Sequence, residues 1–154
     1  MTGEDDWLLH SIRDCSLMAV TDGSYIREHI SDACSAAFIL ECSKGRGRIV
    51  GSFPEATMAA NAYRGELLGL MAIHLILLAA NKIDPFLLGR ADIYSDCLGA
   101  LDRVSHLPAD RIPSKCKHSD ILKNIMINCR ELTFTLRYSH VEAHQDDHEE
   151  FHNL

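Results

Sequence analysis

The chain has 154 residues and a formal net charge of −7 at pH 7, with 47% hydrophobic and 24% charged residues. This length predicts one domain with a single core, and the composition excludes a disordered or fibrous chain. The negative charge disfavours nucleic-acid binding through the overall field, so such binding would need a local basic patch such as KGRGR at 44–48. The acidic start MTGEDDW has no signal-peptide pattern, which predicts an intracellular protein, cytoplasmic or nuclear and not secreted.

The hydrophobic periodicity predicts elements in the order of an α/β domain. Residues 1–15 are predicted as an N-terminal arm, and residues 16–154 as the domain. Strands are predicted at 16–25, 33–42, 47–53, 91–96 and 133–141, and helices at about 57–81, 96–107 and 120–132, the last capped by Ser119. The short strands around the glycine-containing loop 43–47 suggest an antiparallel meander, and the later helix–strand alternation predicts a mixed sheet.

The longest apolar run is LLGLMAIHLILLAA at 67–80, which Gly69 and His74 interrupt. It is shorter than the roughly 20 residues that span a bilayer. The run therefore predicts a buried helix and no contact with a membrane.

Isolated acids stand in apolar surroundings at Asp22, Glu66 and Asp96. Each has a structural explanation by itself: Asp22 as a turn former, Glu66 as an exposed helix position and Asp96 as a helix N-cap. Ionised carboxylates in such surroundings are costly unless they are paired or bind a cation. Together they favour a site for Mg²⁺ or Mn²⁺, because two such ions can activate water and stabilise the leaving oxygen of a phosphodiester.

The ordered motifs VTDGSY (20–25), AYRGELLGL (62–70), YSDCLGAL (94–101) and YSHVEAHQDD (138–147) resemble the type 1 ribonuclease H domain. The resemblance runs from about residue 17 to the end, and it is closest to the version in the reverse transcriptases of retroelements. It implies a ribonuclease-H-like fold, with a five-stranded mixed sheet whose first three strands are antiparallel, flanked by helices. The implied activity is hydrolysis of the RNA strand of RNA–DNA hybrids by two-metal-ion catalysis.

The resemblance also implies roles for particular residues. The metal ligands and catalytic groups would be Asp22, Glu66 and Asp96, with His144 as a mobile proton-moving group, Asp146 or Asp147 as the fourth ligand, and Gly23, Ser24 and Arg64 as substrate contacts. Two Mg²⁺ or Mn²⁺ ions are expected with the substrate. The implied partners are the hybrid and a reverse-transcriptase polymerase domain in the same polyprotein, and the chain is expected to be a monomer.

The chain departs from the family pattern at two points. Asparagines that often precede the arginine of the helix motif are replaced by Ala62 and Tyr63, which puts a minor-groove contact in doubt. The family's fourth acid lies on a final helix, which the chain is expected to lack unless Asp146 or Asp147 substitutes. A truncated or decayed domain that binds nucleic acid or supports a reverse transcriptase without cleaving is therefore the alternative.

Two further hypotheses stay open. Integrase and transposase catalytic domains share the broad fold but place their glutamate after the second aspartate, whereas Glu66 lies between the two aspartates. Histidines at every fourth position, His140, His144, His148 and His152, would suit a zinc site on one helix. The alternation through Tyr138 instead predicts that His140 ends a strand, which would break that helical stripe.

Overall fold

The computed structural model describes residues 6–21, 34–55, 62–106, 112 and 117–141. The described elements, numbered in chain order, are α1 (Asp6–Arg13), β1 (Leu17–Thr21), β2 (Cys34–Cys42), β3 (Arg48–Glu55), α2 (Ala62–Ile83), β4 (Arg90–Ser95), α3 (Leu98–Ser105), α4 (Ser119–Glu131) and β5 (Thr135–His140). Every predicted strand and helix has a counterpart in this order.

The strands form one sheet in the order β3-β2-β1-β4-β5. The pairs β1–β2 and β2–β3 are antiparallel, and the pairs β1–β4 and β4–β5 are parallel. The predicted fold is therefore confirmed: an α/β domain with a five-stranded mixed sheet, the first three strands antiparallel, flanked by helices.

Helix α1 forms within the predicted N-terminal arm. It buries Leu9 and Ile12 in the same core as the sheet. Its end lies against the start of β4, where a Cβ on Gly89 would be 1.9 Å from the Ile12 carbonyl oxygen. Gly89 also has a φ of +137°, so only glycine fits this contact.

Helix α2 supplies most of the helical part of the core. Leu67, Leu70, Ile73 and Leu77 are fully buried, and the helix packs against β2 and α4. By length and composition alone Tyr63–Ile83 could cross a membrane, but the core helix of a soluble protein passes the same test. The predicted buried helix is thus present, about two residues longer at its C-terminal end.

The histidine inside α2 is accommodated by hydrogen bonds. His74 is fully buried; its Nδ1–H donates to the Leu70 carbonyl at 2.7 Å, and its Nε2 accepts from the Tyr138 hydroxyl at 2.8 Å. Burial lowers the pKa of His74 to about 4, so the ring is neutral at pH 7.

The start of α4 differs from the prediction. The N-cap residue is His118, in the left-handed region with a φ of 63°, and its side chain makes no capping hydrogen bond. The predicted cap, Ser119, is the first helical residue, and a capping side chain has to come from the non-helical residue before it. The His118 ring instead lies beside Arg64, with 3.2 Å between its Nδ1 and Arg64 Nη1.

Candidate active site

The adjacent parallel strands β1 and β4 end side by side. Thr21, the last residue of β1, pairs with Ser95, the last residue of β4. The chain continues from them directly into Asp22 and Asp96, of which Asp96 is described. The carboxyl ends of parallel strands are where α/β sheets bind their ligands, so this edge is the candidate site.

Glu66 lies in the first third of α2 and is buried, with 8% of its surface exposed. Its interpretation as an exposed helix position is therefore wrong. The helix approaches β1 closely because of Gly69, where an added Cβ would be 3.0 Å from Thr21 Cγ2. This approach brings Glu66 to the strand ends, and the Ser95 hydroxyl donates to Glu66 Oε2 at 3.4 Å.

Asp96 is half-buried in the turn between β4 and α3. It is not the N-cap of α3, because that position belongs to Cys97, whose side chain makes no capping hydrogen bond. The turn is held from two sides: the Cys97 N–H donates to Ser95 Oγ at 3.1 Å, and His140 Nε2 donates to the Asp96 carbonyl at 3.2 Å. Neither structural explanation offered for Glu66 and Asp96 thus survives.

The Cys97 thiol reports the electrostatics of this edge. Its pKa is raised above the ordinary value, first by burial and then by the negative charges of Glu66 and Asp96. Both carboxylates therefore lie near the thiol, and the thiol is protonated at neutral pH. Since the thiolate is the reactive form, Cys97 is not an activated nucleophile.

Arg64 connects α2 to the start of α4. Its guanidinium donates to Asp120 Oδ2 at 3.0 Å and lies 3.2 Å from His118 Nδ1, and 14% of its side chain is exposed. The Tyr63 ring lies 5.5 Å from the His118 ring between their centroids. His118 was not identified from the sequence, because no spacing rule joins residues 54 positions apart.

Part of the expected site lies outside the described residues. These residues are Asp22, Gly23, Ser24, His144, Asp146 and Asp147. Within the described part of the chain, no group of three or more His, Cys, Asp or Glu side chains could hold a metal ion. Glu66 and Asp96 do fit a hard cation by donor chemistry, since Mg²⁺ is held by one or two carboxylates together with water and phosphate.

The histidine-stripe hypothesis fails at its first member. His140 is the exposed last residue of β5, a strand that runs parallel to β4. Strand and helix direct their side chains differently, so His140 does not continue a helical stripe. The other three histidines lie outside the described residues.

Solved structures include proteins that are similar to this chain. The chain is similar to the crystal structure of RNase H1 from the halophilic archaeon Halobacterium salinarum NRC-1, at 19% sequence identity and a TM-score of 0.44, over 82% of this chain and 85% of that chain. No family model and no curated protein matches the sequence. The case for a function therefore rests on the residues of the site.

Proposed function

We propose that the protein is a metal-dependent endoribonuclease that hydrolyses the RNA strand of RNA–DNA hybrids. The observation that carries the proposal is the burial of the Glu66 carboxylate beside the Asp96 turn, at the edge where β1 and β4 end. A carboxylate is costly to bury in a largely apolar helix, and a bound cation would offset that cost.

The proposed metal ligands are Glu66 and Asp96, with Asp22 as the third. A bound Mg²⁺ or Mn²⁺ would supply an activated water and neutralise charge on the phosphodiester. Glu66 and Asp96 would provide hard oxygen atoms to the metal ion. Ser95 bonds to the Glu66 side chain, and His140 bonds to the backbone of Asp96. His144 is proposed to move a proton, and Asp146 or Asp147 to complete the ligand set.

The proposed substrate contacts are Gly23 and Ser24, where backbone groups would read the ribose 2′-hydroxyl that distinguishes RNA from DNA. For Arg64 we propose a positioning role instead of direct contact. Arg64 lies two residues before Glu66 on the same helix. Its guanidinium is already bonded to Asp120 and packed beside His118. It would set the orientation of the first turns of α2.

Integrase and transposase catalytic domains, the rival hypothesis, place their glutamate after the second aspartate. The described helices after Asp96 do not support that order. Helix α3 contains no glutamate, and the glutamate of α4 is its last residue, Glu131. The chain just beyond Glu131 contacts the far end of α2, where the Thr133 N–H donates to Asn81 Oδ1. Asn81 is 15 positions from Glu66, roughly 22 Å along a helix. Glu131 therefore lies far from the candidate site.

The decisive experiment incubates the purified protein with a labelled RNA–DNA hybrid and Mg²⁺ or Mn²⁺. Cleavage of the RNA strand that Glu66→Gln and Asp96→Asn each abolish is the expected result. Asp102→Asn is the matched control, because Asp102 is an exposed acid on α3 outside the site. Hybrid binding by the wild type without any cleavage would overturn the proposal in favour of a non-catalytic binding domain.

The resemblance to the reverse-transcriptase version adds a partner to the proposal, a polymerase domain in the same polyprotein. Such a partner would add hybrid affinity to a chain whose net charge of −7 disfavours binding to nucleic acid through the overall field. We expect the isolated chain to bind the hybrid weakly and in a strongly salt-dependent way. Fluorescence anisotropy between roughly 50 and 200 mM salt, over which phosphate contacts lose affinity, measures this binding. Tight binding at the higher salt concentration would argue against a need for this partner.

A further inference from the structure

We propose that Ser95 is a positioning residue whose hydroxyl group joins the Glu66 carboxylate to the backbone of the turn that carries Asp96. This inference rests on the proposed function, because the role of Ser95 is to orient the Glu66 carboxylate toward a bound divalent cation. Ser95 is not an acid, and the motifs described above give it no role as a metal ligand. In the sequence it is simply the residue before Asp96.

The hydrogen bonds of Ser95 leave little freedom to its hydroxyl. The residue is fully buried, and its Oγ accepts the Cys97 N–H at 3.1 Å. A backbone N–H can only donate, so the hydroxyl hydrogen remains available for Glu66 Oε2 at 3.4 Å. The hydroxyl therefore accepts from the turn that carries Asp96 and donates to the carboxylate of Glu66.

The backbone around Ser95 is held as firmly as its side chain. The Ser95 carbonyl accepts the Val141 N–H at 3.0 Å, and Ser95 pairs with Thr21 on one side and His140 on the other. Because Ser95 lies between two paired strands, its hydroxyl has a defined place in the sheet, and both the Glu66 side chain and the Asp96 turn bond to it. Partners that hold metal ligands commonly change metal affinity 10- to 100-fold when they are removed.

A purely structural hydroxyl would behave differently. Its loss would lower stability through an unsatisfied Cys97 N–H, but it would leave the affinity for a cation unchanged. Metal affinity and stability therefore separate the two roles.

The test measures Mn²⁺ affinity of the intact chain without nucleic acid, by isothermal titration calorimetry. Ser95→Ala is expected to raise the Kd for Mn²⁺ about tenfold, and Ser95→Thr, which keeps a hydroxyl, to stay close to the wild type. If the alanine variant does not fold, Ser95→Cys replaces it, because the thiol fills the space but is only a weak hydrogen-bonding group; the same rise in the Kd for Mn²⁺ is then expected. In hydrogen exchange, the Cys97 amide should exchange faster in the alanine variant.

The matched control is Ser11→Ala. Ser11 is equally buried, donates to the Trp7 carbonyl and lies near the opposite end of β1. It should lose stability without losing Mn²⁺ affinity. Wild-type affinity in Ser95→Ala, or an equal loss in Ser11→Ala, overturns the role of Ser95 alone. Absence of Mn²⁺ binding by the free wild-type chain overturns the role of Ser95, whereas the proposed function, whose ions are expected with the substrate, is overturned only by the absence of hybrid cleavage.

Discussion

His74 and Tyr138 join the middle of α2 to β5 through a hydrogen bond of 2.8 Å between His74 Nε2 and the tyrosine hydroxyl, with their rings stacked. The tyrosine hydroxyl also lies 3.8 Å from Cys129 Sγ on α4. Burial raises the pKa of Tyr138 and lowers that of His74, so both groups stay neutral in the core. A polar chain thus crosses the core with its hydrogen-bonding groups paired.

The first prediction concerns stability against pH. The folded pKa of His74 is about 4, against 6.5 as its ordinary value, so the unfolded chain binds a proton that the folded chain rejects. The free energy of unfolding is therefore unaffected by His74 protonation above pH 6.5. It falls as the pH falls from 6.5 towards 4, by roughly 3 kcal/mol in total. Urea unfolding at pH 7, 5.5 and 4.5 measures this loss.

The control for this prediction is the double variant His74→Leu, Tyr138→Phe, which removes the titrating group without leaving a buried hydroxyl unpaired. The carboxylates contribute equally in both proteins, so the difference between the two pH profiles isolates His74. Parallel profiles would contradict the assignment.

A second prediction tests the approach of α2 to β1. Gly69→Ala would gain helix propensity, but its Cβ would lie 3.0 Å from Thr21 Cγ2 and 3.2 Å from the Ala37 carbonyl oxygen. We expect a net destabilisation of about 1–3 kcal/mol, as overpacking usually causes, together with lower cleavage activity because Glu66 moves away from the strand ends. Gly99→Ala is the control, since its Cβ would be an ordinary 3.8 Å from Tyr63 and should stabilise α3 by up to about 1 kcal/mol.

A third prediction concerns the ion pair between Arg64 and Asp120. The arginine holds the pKa of Asp120 below its ordinary value, but 66% of the Asp120 side chain is exposed, so solvent screens the pair. A double-mutant cycle with Arg64→Met and Asp120→Asn is expected to give a coupling of about 0.5 kcal/mol that shrinks at 1 M salt. A coupling near zero at low salt would remove the basis for a positioning role.

A fourth prediction follows from the Thr21 hydroxyl. Among the buried side-chain nitrogen and oxygen atoms in the part of the chain that the structure describes, it is the one without a hydrogen-bond partner. Thr21→Val keeps the shape and removes the unsatisfied group, so unfolding free energy should rise by about 1 kcal/mol. Thr135→Val, at an exposed strand position, should change stability by less than about 0.5 kcal/mol. A destabilised Thr21→Val variant would show that the hydroxyl has a partner in solution.

The order of elements and the class of fold could be predicted because periodicity is a local property. The alternation of Phe134, Leu136 and Tyr138 identified β5, and β5 places Leu136 and Tyr138 on the face that packs against the helices. The acids of the candidate site were also identified locally, because a carboxylate in an apolar run is conspicuous in any sequence. What local pattern did not decide was which of those acids is buried.

The environment of Glu66 shows why. Helix α2 is apolar on nearly all sides, so its sequence does not distinguish a buried from an exposed position for the one acid within it. Burial followed from the packing of Gly69 on Thr21, and the partners of Arg64 come from a different distant element, the start of α4. The sequence by itself determined the elements, the sheet class and the candidate acids, because those depend on neighbours within a few positions. Only the tertiary structure decided that Glu66, Ser95 and the Asp96 turn meet at one edge, because their contacts join residues about 30 positions apart and depend on how closely a helix packs on a strand.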